Sequence, residues 1–352
     1  MTGVTLRLDE PRWREHLQTV ATATPGLVPV IKGNGYGYGL PRLAAESAAL
    51  GVDTVAVGMP AEVSTVREAF GGDVVIMNPF DLHNGRAIEL LSDSAVLTTV
   101  SRLSDLVRIA ELDPKPRVLV EVMTSMRRHG LGVDQLRAAA ELLESVDFAG
   151  WSIHLPLLAA GRYVEAERLT RAALAASPGT LWISHLPVEE TATLARQLGG
   201  AGGEPVPVRQ RVGTRLWLGD ESTRETTASV LDVHPIKRGE RVGYRQRLSP
   251  ADGWVVVVAG GTSHGIGLEA PSSVSTLRQR VVALATGSLE AAGLALSPYT
   301  INGRKRWFFE PPHMQSSLIF LPKKEHPPAI GDEIPVELHL TTATVDVVLI
   351  AP

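Results

Sequence analysis

From residue 28 to about residue 218, short β-branched runs alternate with amphipathic stretches, and this alternation restricts the fold more than any other feature of the chain. Such a chain buries its apolar strands by wrapping a parallel sheet in helices. Eight strand candidates stand out: Val28–Lys32, Asp53–Val57, Asp73–Met77, Ala95–Val100, Arg117–Val122, Phe148–His154, Thr180–Ser184 and Pro207–Arg211. Between them, Leu40–Leu50, Ala61–Ala69, Asp134–Ser145, Tyr163–Ala176 and Glu189–Leu198 repeat their apolar positions at helical spacing, as Leu136, Ala140 and Leu143 illustrate. Eight strand–helix units predict an α/β chain folded as a (β/α)8 TIM barrel, with its active site at the carboxyl ends of the strands.

The texture changes after about residue 220. Helical periodicity fades and valine-rich runs take over, including Trp254–Ala259, Val281–Leu284 and Ile334–Leu340. The segment from Pro335 to Leu340 alternates apolar and polar residues, the pattern of a half-buried strand. These runs predict a separate C-terminal, mostly antiparallel β domain. The polar stretch Asp220–Thr227 is the natural boundary, which gives a barrel over residues 1–222 and a β domain over 223–352.

Composition excludes several functions. With 352 residues, of which 44% are hydrophobic, the chain is long enough for two cores. A net charge of −4 leaves no basic footprint for nucleic acid or an anionic membrane, so a small-molecule partner is expected. The absence of cysteine removes disulfides, thiolate nucleophiles and cysteine-based metal sites. The N-terminus lacks the cationic and apolar regions of a secretory signal, and no apolar run is long enough to span a bilayer; a cytoplasmic protein is expected.

The polar residues that fall at the ends of the proposed strands point to chemistry. Strand one ends in Lys32, strand five runs into Met126–Gly130, strand six ends in His154, strand seven in Ser184 and His185, and strand eight in Arg211 with Gly213 beyond it. This convergence on one rim exceeds what a structural barrel needs. Lys32 follows an apolar strand and precedes a glycine-rich turn carrying Tyr36 and Tyr38. A lysine at an apolar rim loses its proton more readily than a solvated one and is then able to form a Schiff base. A strand ending in lysine before a glycine turn also serves purely structural purposes, and the order of residues selects between the two readings.

That order resembles the cofactor-attachment motif of the alanine racemase family, with Lys32, Asn34, Tyr36 and Gly37 at the matching places and Tyr38 where histidine is usual. The resemblance implies that pyridoxal 5'-phosphate (PLP) is carried on Lys32, with Tyr36 at its phosphate. It extends to Thr124, Met126, Arg128 and Gly130, which implies that Arg128 binds the substrate carboxylate and that Glu121 stands where a carbamylated lysine often holds this arginine. His154 matches the histidine that packs on the cofactor ring. Ser184, or His185 one residue on, falls in the phosphate-binding region. Arg211 and Gly213 match the pyridine-nitrogen and phosphate contacts, and an arginine at that nitrogen makes the cofactor a weaker electron sink. In the second domain Tyr244 is implied as the second acid/base, supplied by the partner subunit of a head-to-tail homodimer with shared active sites.

Three motifs depart from the family. An aromatic gate is replaced within Gly261–Gly265 by Ser263 and His264; the methionine-aspartate-glutamine motif survives as Met314 and Gln315, with Met314 retained as a substrate contact; and no terminal arginine-tyrosine element precedes Pro352. The expected activity is PLP-dependent amino-acid racemisation, with Lys32 and Tyr244 exchanging the Cα proton through an external aldimine, on an amino acid that need not be as small as alanine. The alternatives are a PLP-dependent decarboxylase, a PLP-binding homologue without turnover, and a cofactor-free Schiff-base aldolase.

Overall fold

The structure, a computed structural model, describes residues 3–157, 160–199, 203–268 and 295–351. It divides into two compact units, Arg14–Gly219 and the combination of Met1–Trp13 with Asp220–Pro352. The chain begins with β1 (Val4–Asp9) and α1 (Glu10–Ala23). The eight strands of the first unit follow: β2 (Leu27–Pro29), β3 (Thr54–Val57), β4 (Asp73–Ile76), β5 (Val96–Val100), β6 (Arg117–Val122), β7 (Asp147–His154), β8 (Leu181–Ser184) and β9 (Val208–Val212). Its helices are α2 (Leu40–Ala49), α3 (Glu62–Arg67), α4 (Gly85–Leu90), α5 (Leu103–Ile109), α6 (Leu136–Ala140), α7 (Arg162–Ala176), α8 (Val188–Leu198) and α9 (Thr214–Leu218).

All eight strands are parallel, in the order β2-β9-β8-β7-β6-β5-β4-β3. A single bridge between Val30 and Ala56 joins the two ends of that order, so the sheet closes on itself as a barrel. Its interior is filled by Val28, Val30, Ala56, Val75, Leu97, Leu119 and Trp182, while Leu106, Val120, Trp151, Ile153 and Leu169 pack in the layer between strands and helices. Each of the valines, leucines and isoleucines among them contributes about 1.5–3 kcal/mol relative to exposure, and this burial, not local propensity, holds helices as short as five to seven residues in place.

One pair of strands carries an irregularity. The β6–β7 register shifts between Val118 and Leu119, opposite Phe148 and Gly150. Gly150 has φ +133, and a Cβ there would lie 2.1 Å from the Thr180 carbonyl oxygen. The bulge therefore requires glycine. Beyond it, Ser152 and His154 alternate with the helix-facing Trp151 and Ile153 and so belong to the barrel's inner face.

The helix expected over Asp134–Ser145 is instead α6 flanked by short 3-10 turns at Val133–Gln135 and Leu143–Ser145. Leu136 and Leu143 are buried all the same. The apolar spacing reports which side chains face the core and does not require one uninterrupted ladder of hydrogen bonds.

The second unit contains β10 (Arg224–Ile236), β11 (Arg241–Val242), β12 (Arg247–Leu248), β13 (Gly253–Ala259), β14 (Leu296–Ile301), β15 (Arg304–Trp307), β16 (Ser316–Pro322), β17 (Glu333–Pro335) and β18 (Val347–Ala351). Its main sheet runs β16-β13-β10-β1-β18, with β17 also on β10. Pairing is antiparallel except between β1 and β18.

The division at 222/223 is not the one the structure makes, because β1 pairs with β10 and β18 and carries Val4 into the core of the second unit. Nor is Asp220–Thr227 a linker throughout, since β10 begins at Arg224 and pairs with β1 from there. Strand structure over Ile334–Leu340 stops at Pro335, although burial still alternates through Val336 and Leu340. The run Val281–Leu284 lies outside the described residues. Among the described residues, no helix is long and apolar enough to cross a membrane.

Candidate active site

The barrel register assembles the site. His154 on β7 pairs with Ser184 on β8, and Ser184 pairs with Arg211 on β9, so one rung places three of the expected residues side by side. Arg211 is buried. Its Nη1 donates to the Ser152 hydroxyl at 3.0 Å, and its Nη2 to the carbonyls of Ile153 and Trp182, both at 3.3 Å. Its Nε is buried with no hydrogen-bond partner among the described residues. Burial lowers the Arg211 pKa to about 10, against the raising influence of Glu121 and with a further lowering by Arg128, so the group remains a cation near neutrality.

Lys32 lies just past β2, exposed on the rim. Partial burial lowers its pKa, Arg128 and Arg211 lower it further, and Glu62 opposes them. The amine therefore sheds its proton more easily than an ordinary lysine. Tyr36 follows in a left-handed conformation, φ 55, with its N–H donating to Asn34 Oδ1 at 3.0 Å. Burial pushes the Tyr36 phenol up to about 12. The hydroxyl stays protonated and able to donate. It sits against Gly213, where a Cβ would lie 2.1 Å from Tyr36 Oη; glycine is needed there for close approach, not for backbone freedom.

Arg127 at φ 51 and His185 at φ 64 are likewise left-handed. With Tyr36 they place three strained non-glycine residues just beyond the carboxyl ends of barrel strands, where such strain accompanies function. The loop carrying Arg127 and Arg128 is tied to α7, since Glu165 accepts from the N–H and the hydroxyl of Ser125. Thr124 Oγ1 donates to the His154 carbonyl at 2.9 Å.

His154 and His185 meet edge to face, with ring centroids 5.0 Å apart. Burial, then Arg211, Arg128, His185 and Lys32, push the His154 pKa down to about 3; burial and the same cations, with Arg162, lower His185. A neutral His154 has a consequence for stability. Unfolding returns it to an ordinary pKa of 6.5, so between about pH 3 and pH 6.5 the unfolded chain binds the extra proton and stability falls as pH is lowered through that window. In His154→Gln, urea unfolding midpoints measured from pH 4 to 8 are expected to decline less steeply toward acid than in the parent. Parallel declines would show that the ring does not carry this linkage.

One carboxylate differs from expectation and a second enters the site. Glu121 was expected to hold Arg128, but among the described residues no hydrogen bond or ion pair joins them. Glu121 is buried, accepts from the Ser101 hydroxyl at 2.6 Å, and favours the charge on Arg211. Glu62, which the sequence reading passed over, accepts from the N–H of Gly33 next to Lys32. Its only sequence signal is an acidic residue in the first turn of a helix, a feature usually explained by capping.

Tyr244 and Met314 belong to the second unit, and both side chains are exposed, at 85% and 71%. Tyr244 follows Gly243 in the β11–β12 hairpin, and its ring lies 4.5 Å from that of His313. Glu310 accepts from the Tyr244 N–H at 3.0 Å, the Arg245 N–H at 3.1 Å and His313 Nε2 at 2.6 Å. Burial pushes the Glu310 carboxyl up, but these donors outweigh it and leave it lowered. In the altered gate segment, His264 is buried and pairs with Asp346 at 3.1 Å, while Ser263 donates to the Met314 carbonyl at 2.7 Å. His264 thus serves the packing of its own unit.

The mouth of this parallel barrel holds a partly desolvated lysine whose charge is opposed by Arg128 and Arg211. The profile described as "Alanine racemase, N-terminal domain" matches residues 8–192, more than half of the chain. The chain belongs to the alanine racemase family, a family of PLP-dependent isomerases.

An alanine racemase of Nitratidesulfovibrio vulgaris is 26% identical over 269 residues, 69% of each chain. One from Campylobacter jejuni is 27% identical over 146 residues, 40% of this chain and 41% of that one. The fold is shared with the Bartonella henselae alanine racemase bearing covalently bound pyridoxal phosphate, at TM-score 0.70 and 17% identity over 96% of this chain and 92% of that one. It is also shared with the biosynthetic alanine racemase of Pseudomonas aeruginosa, at TM-score 0.68 and 14% identity over the whole of both chains.

Proposed function

We propose that this protein is an amino-acid racemase that holds pyridoxal 5'-phosphate at the barrel mouth, with Lys32 as its covalent anchor. The observation that carries the reading is the buried Arg211 Nε without a partner among the described residues, on the same rung as Ser184 and His154, in a guanidinium whose charge Lys32 senses. An orphaned buried N–H is costly unless a ligand accepts from it, and a pyridine nitrogen is a suitable acceptor. The Tyr36 hydroxyl against Gly213 forms a cradle too close for any side chain, which suits a phosphate, and Ser184, on the rung of Arg211, is a further candidate contact. The residues present therefore fit the group.

When bound, the cofactor supplies the electron withdrawal that acidifies the Cα proton of an attached amino acid. Arg211, a cation that does not readily yield a proton, keeps that withdrawal weak and disfavours side reactions. Arg128, exposed and without an internal partner among the described residues, is available for the substrate carboxylate, and Met314 for its backbone or side chain. Lys32 moves a proton on one face of Cα. Tyr244 of a partner subunit moves it on the other, in a homodimer. Two motif departures, Ser263 in the gate and the lone Met314–Gln315, support a substrate range that includes amino acids larger than alanine.

The test is a visible absorption spectrum of the purified protein, followed by borohydride reduction and peptide mapping, and by incubation with L- and D-alanine and larger amino acids in deuterated water. The reading expects an absorbance near that of a lysine-linked cofactor, a reduced adduct on Lys32, and Cα deuteration with racemisation. An adduct without Cα exchange would instead mark a binding homologue. A colourless protein that takes up no cofactor would end the proposal.

A further inference from the structure

The barrel has one weak seam. Between β2 and β3, backbone pairing amounts to the Val30–Ala56 bridge, with the Ile31 N–H donating to the Ala56 carbonyl at 2.7 Å. The chain past Ile31 is Lys32, so the anchor amine hangs from the edge where the barrel is least tied. Just beyond that bridge a side chain takes over. Glu62, at the start of α3, accepts through Oε1 from the Gly33 N–H at 2.7 Å, and through Oε2 from Gly58 N–H at 2.7 Å and Met59 N–H at 3.0 Å. One carboxylate thus joins the two strand ends. Gly58 closes the arrangement, since a Cβ there would lie 3.3 Å from Lys32 Cβ and 3.2 Å from Glu62 Oε2.

We infer that Glu62 is the positioning residue for Lys32: its carboxylate extends the barrel seam past the last backbone bridge, fixes the stem of the lysine, and holds a negative charge beside the amine. This inference rests on the reading of Lys32 as cofactor anchor and proton carrier.

The charges around the amine agree with that role. Arg128 on the loop after β6 and Arg211 on β9 disfavour the ammonium form, as partial burial does, and Glu62 favours it. His154 on β7 and His185 after β8 also sense the Lys32 charge and are themselves held neutral. Glu62 is the one opposing influence among these, and it favours the ammonium form. A residue that must both attack an aldehyde as a free amine and return a proton as an ammonium needs such a balance.

The experiment uses full-length protein freed of cofactor with hydroxylamine. Lys32 acetylation by acetic anhydride is followed against pH by peptide mass spectrometry, and amide exchange is followed at Gly33 and Gly58. In Glu62→Gln the acetylation midpoint moves to lower pH, because the charge that favours the ammonium is gone, and at least one of the two amides exchanges about tenfold faster or more. In Glu62→Asp the charge stays and the reach shortens, so the midpoint remains near the parent while an amide still loses protection. A midpoint in Glu62→Gln that stays put or rises, or unchanged exchange at both amides, overturns the inference. Glu62→Gln and Glu62→Asp suffice if Glu62→Ala fails to fold. If borohydride fixes no cofactor on Lys32, the racemase reading falls, whereas the acetylation midpoint and amide exchange still judge the clamp.

Discussion

Lys32→Ala is expected to give a colourless protein that retains no borohydride-stable cofactor and whose racemisation is lower by at least about 10⁴-fold, the upper range for one positioned acid/base, with the covalent anchor lost as well. The fold should not notice. Lys32 is exposed and its side chain makes no hydrogen bond or ion pair among the described residues; surface substitutions of that kind stay within about 0.5 kcal/mol. The separation of the two readouts is what makes the result informative. Loss of activity alongside an unchanged urea midpoint places Lys32 in the chemistry, whereas a colourless parent, or an alanine variant that still binds and turns over, would remove the lysine from its assigned role. Added methylamine offers a further check, since a small amine able to enter the mouth should restore some Cα exchange without restoring the adduct.

The barrel was legible because its signals are local. All eight strand candidates coincide with observed strands to within a few residues, and the largest difference falls at the first, where Val28–Lys32 was expected and β2 ends at Pro29. The reason is the seam: pairing between β2 and β3 shrinks to one bridge, so an apolar run that reads as a strand is only partly one. The polar rim could be read for the same reason, since each residue ends a strand and the fold rule says where strand ends go.

Long-range pairing was illegible. Thr5 meets Val347 in the parallel β1–β18 ladder, and no local pattern announces a partner so far along the chain. The start of β10 looked like a linker because Arg224, Glu225 and the threonines that follow carry no apolar alternation, yet they pair with β1. Carboxylate roles were hidden too. Glu62 looks like a capping acid and Glu121 like a partner for Arg128, and only the coordinates show that one grips three amides and the other is turned to Ser101. Side-chain reach across strands is a property of three-dimensional placement that residue order does not carry.

Tyr244→Phe is the substitution that tests the two-base scheme most directly. The ring contact with His313 and the Tyr244 N–H bond to Glu310 both survive the change, because neither uses the hydroxyl. The side chain is exposed, and among the described residues its one ring contact is with His313, so stability should hold within about 0.5 kcal/mol. Racemisation requires proton removal on one face of Cα and delivery on the other, so it should fall by about 10²–10⁴-fold in both directions, as equilibrium demands when either acid/base is lost. Exchange of the Cα proton with solvent is different. The enantiomer whose Cα–H faces Lys32 needs only that residue to lose and regain its proton, and it should keep taking up deuterium with retained configuration, while its mirror image should not. Incubating each alanine enantiomer with the variant in deuterated water, and resolving configuration and mass together, reads this asymmetry. Equal exchange from both enantiomers would mean that another group serves the second face, and equal loss from both would mean that the tyrosine supports the site as a whole; in either case the assignment of one base to each face is wrong.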